Sequence, residues 1–456
     1  MNYREILKNK RILVVGLGKS GKAAVEALQE IGAKLSVQDN SSAEKIDAQF
    51  IRFMEENDIE MYLGAEPEDM SSWDMLVLSP GVPTDRAFVQ AARAAGAEII
   101  GELELAYRLS AAKYVAITGT NGKTTTTTLV GEIFKASGRI TAVVGNIGNP
   151  VVTEAMDSDS DKWMVAEVSS FQLETTSEFH PVVSAILNLT PDHLNRHKTM
   201  EAYGAAKASV FAQQDEGEYL VINYDDKLCY SLAADCKAVQ VPFSRLEILE
   251  FGAYLDGDEL LINDGKEIIS ICRKQDLKII GNHNIENALA AAAICYFAGI
   301  EAEIISEAIK AFPGVEHRIE YCGELDGAAY YNDSKGTNVD ASIIAVKALE
   351  NNIILIAGGD GKSQDFTELA EHLTGPVKAL VLLGRDAPII EEAARKAGFE
   401  NIYTEKDMEG VLRKCRSLAE AGDKVLLSPA CASWDMYDNF EQRGRHFKEC
   451  LAEMRK

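Results

Sequence analysis

The segment Tyr114-Val-Ala-Ile-Thr-Gly-Thr-Asn-Gly-Lys-Thr-Thr125 decides the fold class. Its apolar run is typical of a buried strand, and it leads through a glycine loop into a helical pattern. Such a loop lets backbone N–H groups surround a phosphate at a helix start. Lys123 can neutralise phosphate charge, and the Thr124 hydroxyl can reach Mg²⁺. Ile117 replaces the first glycine of a strict P-loop, so the motif is P-loop-like.

Strand and helix patterns alternate along most of the chain. Helical stretches such as Ala23–Ile31 separate short apolar runs that predict strands, among them Arg11–Val15, Met75–Leu78, Trp163–Glu167, Ala185–Leu189 and Ile353–Ala357. This alternation predicts an α/β fold with largely parallel sheets. At roughly 150 residues per domain, a chain of 456 residues suits three domains. We predict a Rossmann-like N-terminal domain (1–101), a P-loop ATPase-like central domain (102–313) and a Rossmann-like C-terminal domain (314–456).

Composition excludes several classes of protein. The net charge of −25 gives the chain no general affinity for nucleic acid or an anionic membrane. None of the eight cysteines forms a C-x-x-C pair, which argues against a cysteine zinc site or a redox pair. The longest apolar run, Ala288–Ile300, is too short to span a bilayer. We therefore expect a soluble, cytoplasmic protein.

A second phosphate signal lies near the N-terminus. Residues 16–21 read Gly-Leu-Gly-Lys-Ser-Gly between a predicted strand and a predicted helix, and Asp39 follows the next strand. This G-x-G-x-x-G pattern indicates a bound diphosphate, which a nicotinamide dinucleotide and a uridine diphosphate sugar both offer. A dehydrogenase is one interpretation, but it leaves the loop around Lys123 unexplained.

Three side chains in the central region suggest metal or amine chemistry. Glu167 ends a predicted strand, where it could hold Mg²⁺ or cap a helix. His193 could be a magnesium ligand, half of a zinc pair with His197, or a structural residue. Lys207 lies in the middle of the apolar face of a predicted helix over 199–213. Its amine either snorkels to water or has a lowered pKa, and a neutral amine can add carbon dioxide to form a carbamate.

Polar loops follow the predicted strands of the C-terminal region. The segments 332–338, 358–362 and 428–435 offer hydroxyls, amides and two lysines that could bind carboxylates and phosphates. Within the last segment, Cys431 is predicted to be a small buried residue and not a nucleophile. A P-loop switch or a simple binding module would leave these loops without a role.

Together these segments resemble the ATP-dependent Mur ligases of peptidoglycan synthesis. The resemblance covers the whole chain and rests on Gly119–Thr125, Glu167–Ser170, Asp192–Lys207, Gly281–Asn287 and His317-Arg318. In 332–338, 358–362, 428–435 and 439–444 the chain is similar to the branch that adds D-glutamate. The implied activity is an ATP-dependent acid–amino-acid ligase that joins D-glutamate to UDP-N-acetylmuramoyl-L-alanine through an acyl phosphate. Cell-wall biogenesis, cell shape and cell division would depend on it. A sister ligase with another amino-acid acceptor is the alternative.

The resemblance also implies a role for individual residues. The implied ATP site comprises Gly119, Thr120, Asn121, Gly122, Lys123, Thr124, Thr125, Asn284, Asn287, Arg318 and Asp333. The implied UDP-sugar site comprises Gly16, Gly18, Gly21, Asp39, Asn40, Ser79, Gly81, Asn146, Ser169 and His193. D-Glutamate would be bound by Lys335, Thr337, Lys362, Ser433 and Phe440.

Cofactors and assembly follow from the same resemblance. Two Mg²⁺ ions would be held by Thr124, Glu167, His193 and a carbamate on Lys207. The implied catalytic residues are Lys123, Lys207, His193 and Glu167. The protein is expected to act as a cytoplasmic monomer whose C-terminal domain closes on the central one. Ser41 stands where the resemblance implies a basic residue near the uracil.

Overall fold

The structure is a computed structural model, and it describes residues 3–456. Its secondary structure comprises three separate β-sheets of five, nine and six strands with helices between the strands. The α/β class with mostly parallel sheets is therefore confirmed. None of the described helices has the length and apolar character needed to cross a bilayer.

The first sheet is wholly parallel, with the strand order β3-β2-β1-β4-β5 once the elements are numbered along the chain. Its elements are α1 (Tyr3–Leu7), β1 (Arg11–Val15), α2 (Lys19–Ile31), β2 (Lys34–Asp39), α3 (Ala48–Glu56), β3 (Glu60–Leu63), β4 (Met75–Leu78), α4 (Ala87–Ala94) and β5 (Glu98–Gly101). Four of the five residues of β1 are buried, because helices cover both faces of the sheet.

The second sheet follows after α5 (Glu102–Leu109). Its elements are β6 (Lys113–Thr118), α6 (Lys123–Ala136), β7 (Thr141–Gly145), α7 (Val151–Ala155), β8 (Trp163–Glu167), α8 (Ser170–Leu173), β9 (Val183–Ile186), α9 (Leu194–His197), α10 (Met200–Ala208), β10 (Tyr219–Asn223), α11 (Lys227–Ser231), β11 (Val239–Ser244), β12 (Gly252–Asp256), β13 (Glu259–Asn263), β14 (Ile268–Arg273), α12 (Asn282–Phe297) and α13 (Ala302–Ala311). The strand order is β14-β13-β12-β11-β10-β9-β6-β8-β7.

The third sheet is formed by the last part of the chain. Its elements are β15 (Glu320–Leu325), β16 (Ala328–Asn332), α14 (Val339–Leu349), β17 (Ile353–Ala357), α15 (Thr367–Glu371), β18 (Val377–Leu382), α16 (Ala387–Lys396), β19 (Ile402–Thr404), α17 (Met408–Leu418), β20 (Lys424–Leu427) and α18 (Phe440–Met454). The strand order is β15-β16-β20-β17-β18-β19, and only β15 runs antiparallel to its neighbour.

Two details differ from the sequence-based expectations. The strand predicted at Ala185–Leu189 is observed at Val183–Ile186, because Leu187 and the residues after it already turn towards the Gly119 loop. The helix predicted over 199–213 ends at Ala208 and continues as a single 3₁₀ turn over Ser209–Phe211. Helix ends often tighten in this way.

Contacts divide the chain into two compact units. The first contains Met1–Leu277 with Ile285–Phe312, and the second contains Lys278–Asn284 with Pro313–Lys456. The first two sheets therefore belong to one unit and the third sheet to the other. The finer three-domain boundaries at 101/102 and 313/314 stay predictions.

Candidate active site

The loop between β6 and α6 is held in a conformation that requires glycine. Gly119 and Gly122 have φ of 148° and 84°, and a Cβ on Gly122 would lie 2.3 Å from Asn287 Oδ1. Asn188 Oδ1 accepts hydrogen bonds of 3.0 and 2.8 Å from the two backbone N–H groups between these glycines. The loop is therefore positioned by its neighbours before any ligand binds.

Helix α6 begins directly at this loop. Its N-cap is Gly122, which has no side chain to cap the first turn of a 14-residue helix. The first N–H groups of such a helix and its dipole favour an anion. Thr124 and Thr125 are buried in that first turn. The arrangement suits a bound phosphate group, and the Thr124 side chain lies at the N-terminal end of the helix, where that phosphate would bind.

Two lysine amines converge on one carbonyl oxygen. Lys123 Nζ donates to Gly119 O and Thr120 O at 2.9 and 2.8 Å. Lys207 Nζ donates to the same Gly119 O at 2.8 Å, although Lys207 is only 1% exposed. Burial, reinforced by the charge of Lys123, holds the pKa of Lys207 well below its ordinary value. The surroundings of the Lys207 amine thus favour its neutral form over its charged form.

Glu167 lies at the same edge of the second sheet. It ends β8, which is parallel to β6, and it pairs in register with Ile117, just before the glycine loop. Its Oε1 accepts a hydrogen bond from Asn146 Nδ2 at 2.7 Å. Its Oε2 is buried and has no hydrogen-bond partner among residues 3–456. A buried carboxylate oxygen without a donor suits a divalent cation, so the residues present fit a magnesium ion.

His193 starts the single-turn helix α9 in a left-handed conformation, with φ of 53°. Burial lowers its pKa, and the charges of Lys123 and Lys207 lower it further, although Asp192 acts in the opposite direction. The lysines therefore act electrostatically on this imidazole and favour its neutral form, which is the form that can bind a metal.

The alternative zinc pair receives no support from the geometry. His197 Nε2 lies 2.9 Å from Ser170 Oγ, and its Nδ1 lies 3.4 Å from Glu174 Oε1, so both ring nitrogens already have partners. Over residues 3–456, the one close group of three metal-capable side chains is Glu316, His317 and Glu320 in the second unit. Lys448 already bonds both of those glutamates, which makes the group an ion-pair network.

The second glycine loop, Gly16–Gly21, follows β1 of the first sheet, as the spacing of its glycines predicts. Gly16 has φ of 88°, and a Cβ on Gly21 would lie only 1.8 Å from Gly16 O. Ser79 Oγ donates to that same carbonyl at 2.7 Å, and Gly18 is the N-cap of α2. Asp39 accepts from Leu17 N and Ser41 N. Although burial opposes it, these hydrogen bonds hold the pKa of the Asp39 carboxyl below its usual value.

A cation beside Asn40 was missed by the sequence reasoning. Arg86 donates from both terminal nitrogens to Asn40 Oδ1, at 3.2 and 3.3 Å. Arg86 thus supplies a basic group near the position where Ser41 stands in place of an expected one. Because Arg86 and Asn40 lie 46 residues apart in the sequence, no local sequence pattern predicts this contact.

Other predicted residues of the first unit have structural partners. Ser169 caps α8 through a reciprocal pair of hydrogen bonds with Gln172. Asn287 is buried and accepts a hydrogen bond from Thr126 Oγ1 at 3.2 Å. Gly81 and His193 line one cavity of about 650 Å³.

Three residues of the implied ATP site lie in the second unit, and one of them, Asp333, directly follows β16. Asp333 is buried and accepts hydrogen bonds from Ser428 Oγ at 2.7 Å and Ile319 N at 3.3 Å. Burial raises its pKa to about 7. Arg318 Nε is buried without a hydrogen-bond partner in the described residues. Asn284 donates from Nδ2 to Ile280 O at 2.8 Å.

The predicted amino-acid site is organised by an arginine that the sequence reasoning gave no role. Arg443 is 2% exposed, donates from Nε and Nη2 to Ser334 Oγ and O, and donates from Nη2 to Cys431 O. Ser334 in turn donates to Phe440 O at 2.9 Å. Arg443 therefore joins the loops that follow β16 and β20. Burial raises the pKa of Cys431 to about 12, as expected for a residue that is not a nucleophile.

The remaining predicted residues of this site lie on the loops after β16, β17 and β20 and at the start of α18. Lys335 Nζ lies 5.5 Å from the Phe440 ring centroid, and Thr337 N donates to Lys335 O. Lys362 has φ of 51°, and its amine lies 4.5 Å from the centroid of the exposed Trp434 ring. Ser433, next to that tryptophan, is buried.

Family descriptions and full-length relatives match this chain. Three family descriptions match successive parts of the chain: a Mur ligase MurD-like N-terminal domain at 10–101, the Mur ligase middle domain at 117–295, and the Mur ligase glutamate ligase domain at 317–431. The chain is 47% identical over 457 residues to a UDP-N-acetylmuramoylalanine--D-glutamate ligase of Alkaliphilus metalliredigens, covering 99% of both chains. It is also 47% identical over 444 residues to the protein of that name from Clostridioides difficile, covering 97% of this chain and 98% of the relative.

Solved structures share the fold. The crystal structure of the UDP-N-acetylmuramate-alanine ligase MurC from Thermotoga maritima matches with a TM-score of 0.60 at 19% identity, covering 98% of this chain and 100% of that one. A crystal structure of MurF from Acinetobacter baumannii matches with a TM-score of 0.60 at 15% identity, covering 92% and 90%. The domain matches and the full-length relatives show that this chain belongs to the Mur ligase family.

Proposed function

We propose that this chain is an ATP-dependent ligase that joins D-glutamate to UDP-N-acetylmuramoyl-L-alanine in peptidoglycan precursor synthesis. The name shared by relatives that are 47% identical over almost the full chain supports the choice of substrates. The observation that carries the chemistry is the convergence of Lys123, Lys207 and Glu167 around the Gly119 loop.

The proposed reaction begins with activation of the alanyl carboxylate. A carboxylate oxygen is a poor leaving group, so ATP supplies the phosphoryl group that converts it into an acyl phosphate, while Mg²⁺ screens the negative charges. Lys123 and the start of α6 would hold the phosphates, since both present positive charge at the loop. Thr124, Glu167, His193 and Lys207 would hold the ions, and the hydrogen-bonded loop keeps Lys123 in place.

Lys207 has a second proposed task. Its burial and lowered pKa favour the neutral amine, whose lone pair can attack carbon dioxide to give a carbamate with release of one proton. The carbamate would turn a neutral amine at the Gly119 loop into an anionic metal ligand. The added negative charge would attract an ion that the neutral amine alone does not.

The first sheet would hold the uridine diphosphate end of the substrate. Gly16, Gly18 and Gly21 leave space for a diphosphate at the start of α2, with Ser79 beside them. The residues Asp39, Asn40, Gly81, Asn146, Ser169 and His193 are proposed to complete this site. His193 would thus serve both the sugar-peptide part and the metal.

D-Glutamate is proposed to bind in the second unit. Lys335 and Lys362 supply charges for its carboxylates. Thr337 and Ser433 lie on the loops after β16 and β20, and Phe440 starts α18. Asn284, Arg318 and Asp333 of this unit are proposed to contact the nucleotide, together with Asn287 of the first unit. The amine of D-glutamate then attacks the acyl carbon, and phosphate leaves from the tetrahedral intermediate. We propose that the protein acts as a monomer in the cytoplasm.

Phosphate release tests this function. The protein is incubated with ATP, Mg²⁺ and UDP-N-acetylmuramoyl-L-alanine, and D-glutamate, L-glutamate, L-alanine or no amino acid is added. Release that depends on D-glutamate supports the proposal. Release with a different amino acid keeps the ligase class and overturns the acceptor. No release with any amino acid contradicts the ligase function.

A further inference from the structure

Arg196 connects the first and second sheets of the first unit. It lies in α9, one turn after His193, and its N–H donates to His193 O at 2.9 Å. Its side chain leaves this loop and reaches the turn after β4. Nη1 donates to Pro80 O at 3.2 Å, and Nη2 donates to Val82 O at 3.1 Å. The Arg196 side chain therefore bonds two backbone carbonyls in the turn that follows a strand of the first sheet.

The guanidinium is almost fully engaged by the protein. Besides the two carbonyls, Nε and Nη2 donate to the two carboxylate oxygens of Glu174, at 3.3 and 2.6 Å. Its central carbon lies 4.5 Å from the Phe171 ring centroid, and the side chain is 14% exposed. Four of its five N–H groups are used in this way. Arg196 is thus built to hold protein segments together.

Both segments that Arg196 joins lead to the proposed substrate site. The turn at 79–82 is fixed to the Gly16 loop, because Ser79 Oγ donates to Gly16 O and Val82 N donates to Ser79 O. On the other side, Glu174 also contacts His197, whose Nε2 lies 2.9 Å from Ser170 Oγ. The cavity of about 650 Å³ lies between them, with Gly81 and Arg196 in its lining.

We propose that Arg196 is a positioning residue that fixes the separation between the diphosphate turn at 79–82 and the His193 loop. This inference rests on the proposed function. A UDP-sugar-peptide must reach from the Gly16 loop to the reacting groups near Lys123. The enzyme can align such a ligand only if the two ends of its site keep a constant distance. UDP alone occupies one end and does not depend on that distance.

The test compares two ligands on each protein by calorimetry. For Arg196→Ala we expect affinity for UDP-N-acetylmuramoyl-L-alanine to fall about 10- to 100-fold, the scale of lost charge-assisted hydrogen bonds. Affinity for UDP and for ATP should stay within about twofold. In kinetics, the KM for the UDP-substrate should rise and kcat should fall, while the KM for D-glutamate is unchanged.

Further variants separate positioning from simple loss of stability. Arg196→Lys keeps the charge, but a lysine cannot bond Glu174 and two carbonyls at the same time. This variant should therefore recover little of the affinity that Arg196→Ala loses. Glu174→Gln should also weaken binding of the complete substrate, but by less than Arg196→Ala does. The neutral amide holds the guanidinium less firmly than the carboxylate, while the bonds to the two carbonyls remain. Arg139 is a matched control: it donates to Ala298 O and Gly299 O at 3.0 and 2.9 Å and packs on Trp163, away from the site. Arg139→Ala should leave both affinities unchanged.

The outcomes are distinguishable. Equal weakening of UDP and of the complete substrate, or no weakening of either, overturns the positioning role. Full recovery by Arg196→Lys also overturns it, because charge alone would then suffice. If the unmodified protein binds UDP but not UDP-N-acetylmuramoyl-L-alanine, the proposed function fails first, and this inference fails with it.

Discussion

Replacement of Lys207 by methionine separates the chemistry of its amine from the packing of its stem. The two side chains have similar length, so the swap should cost less than about 1.5 kcal/mol of packing. The lost hydrogen bond of 2.8 Å leaves no orphaned acceptor, because Gly119 O still accepts from Lys123 at 2.9 Å. We therefore expect the variant to lose no more than about 1.5 kcal/mol of the free energy of unfolding at pH 7. It should also gain stability there, because only the unfolded chain of the unmodified protein protonates this amine readily.

Activity should respond very differently. Removing a group that stabilises charge in the reaction costs about 10²-fold or more, which is the expected loss of kcat in the phosphate-release assay. Lys207→Ala should lose as much, but acetate or formate should restore part of its activity by entering the vacated space. ¹³C-labelled bicarbonate should give a carbamate NMR signal in the unmodified protein that Lys207→Met lacks. Full activity of the methionine variant would refute the reasoning.

The lowered pKa of Lys207 also makes stability depend on pH. In the unfolded chain the amine titrates near 10.5, whereas in the folded protein its pKa is well below that value. Between the two, the unfolded chain binds the extra proton, so stability rises with pH across that window. The free energy of unfolding of the unmodified protein, relative to Lys207→Met, should therefore rise between pH 7 and 10, and chemical denaturation at several pH values measures it.

Three further predictions concern other parts of the chain. Glu104 is fully buried and accepts hydrogen bonds from three consecutive backbone N–H groups at 177–179, so Glu104→Ala should cost at least about 3 kcal/mol in urea unfolding, and an unchanged midpoint would contradict this. Gly21→Ala would place a Cβ 1.8 Å from Gly16 O, so UDP affinity should fall more than about tenfold while ATP affinity is kept; calorimetry with both ligands decides. Because burial raises the pKa of Asp333 from 3.8 to about 7, the folded state holds a proton that the unfolded chain releases, and stability should fall as pH rises through that window. Asp333→Asn should lack this fall, and equal pH profiles of the two proteins would contradict the assignment.

Much of the fold was predictable, because buried parallel strands have an unmistakable pattern. Arg11–Val15, Met75–Leu78 and Trp163–Glu167 are observed at the predicted bounds. The pattern failed for strands that are only partly buried. β3 has no fully buried residue, and β13 alternates buried and half-buried residues. Strands β12–β14 form antiparallel hairpins, which the expectation of parallel strands did not cover.

The candidate site was predictable where its chemistry is local. Glycine spacing fixed the Gly119 and Gly16 loops, and the apolar face around Lys207 revealed an unusual buried amine. The long-range partners could not be predicted. Arg86, Arg196 and Arg443 bond groups 46 to 116 residues away, and nothing near an arginine in the sequence indicates such a partner. Contacts of this kind depend on how the strands are ordered in three dimensions.

The central claim is that the alanyl carboxylate is activated by phosphoryl transfer at the Gly119 loop. It is tested most directly with UDP-N-acetylmuramoyl-L-alanine that carries ¹⁸O at both oxygens of that carboxylate, together with ATP, Mg²⁺ and D-glutamate. Mass spectrometry then reads the released phosphate. An acyl phosphate leaves one carboxylate oxygen on phosphorus, so each phosphate formed should contain one ¹⁸O. Amide formation with unlabelled phosphate would contradict the claim.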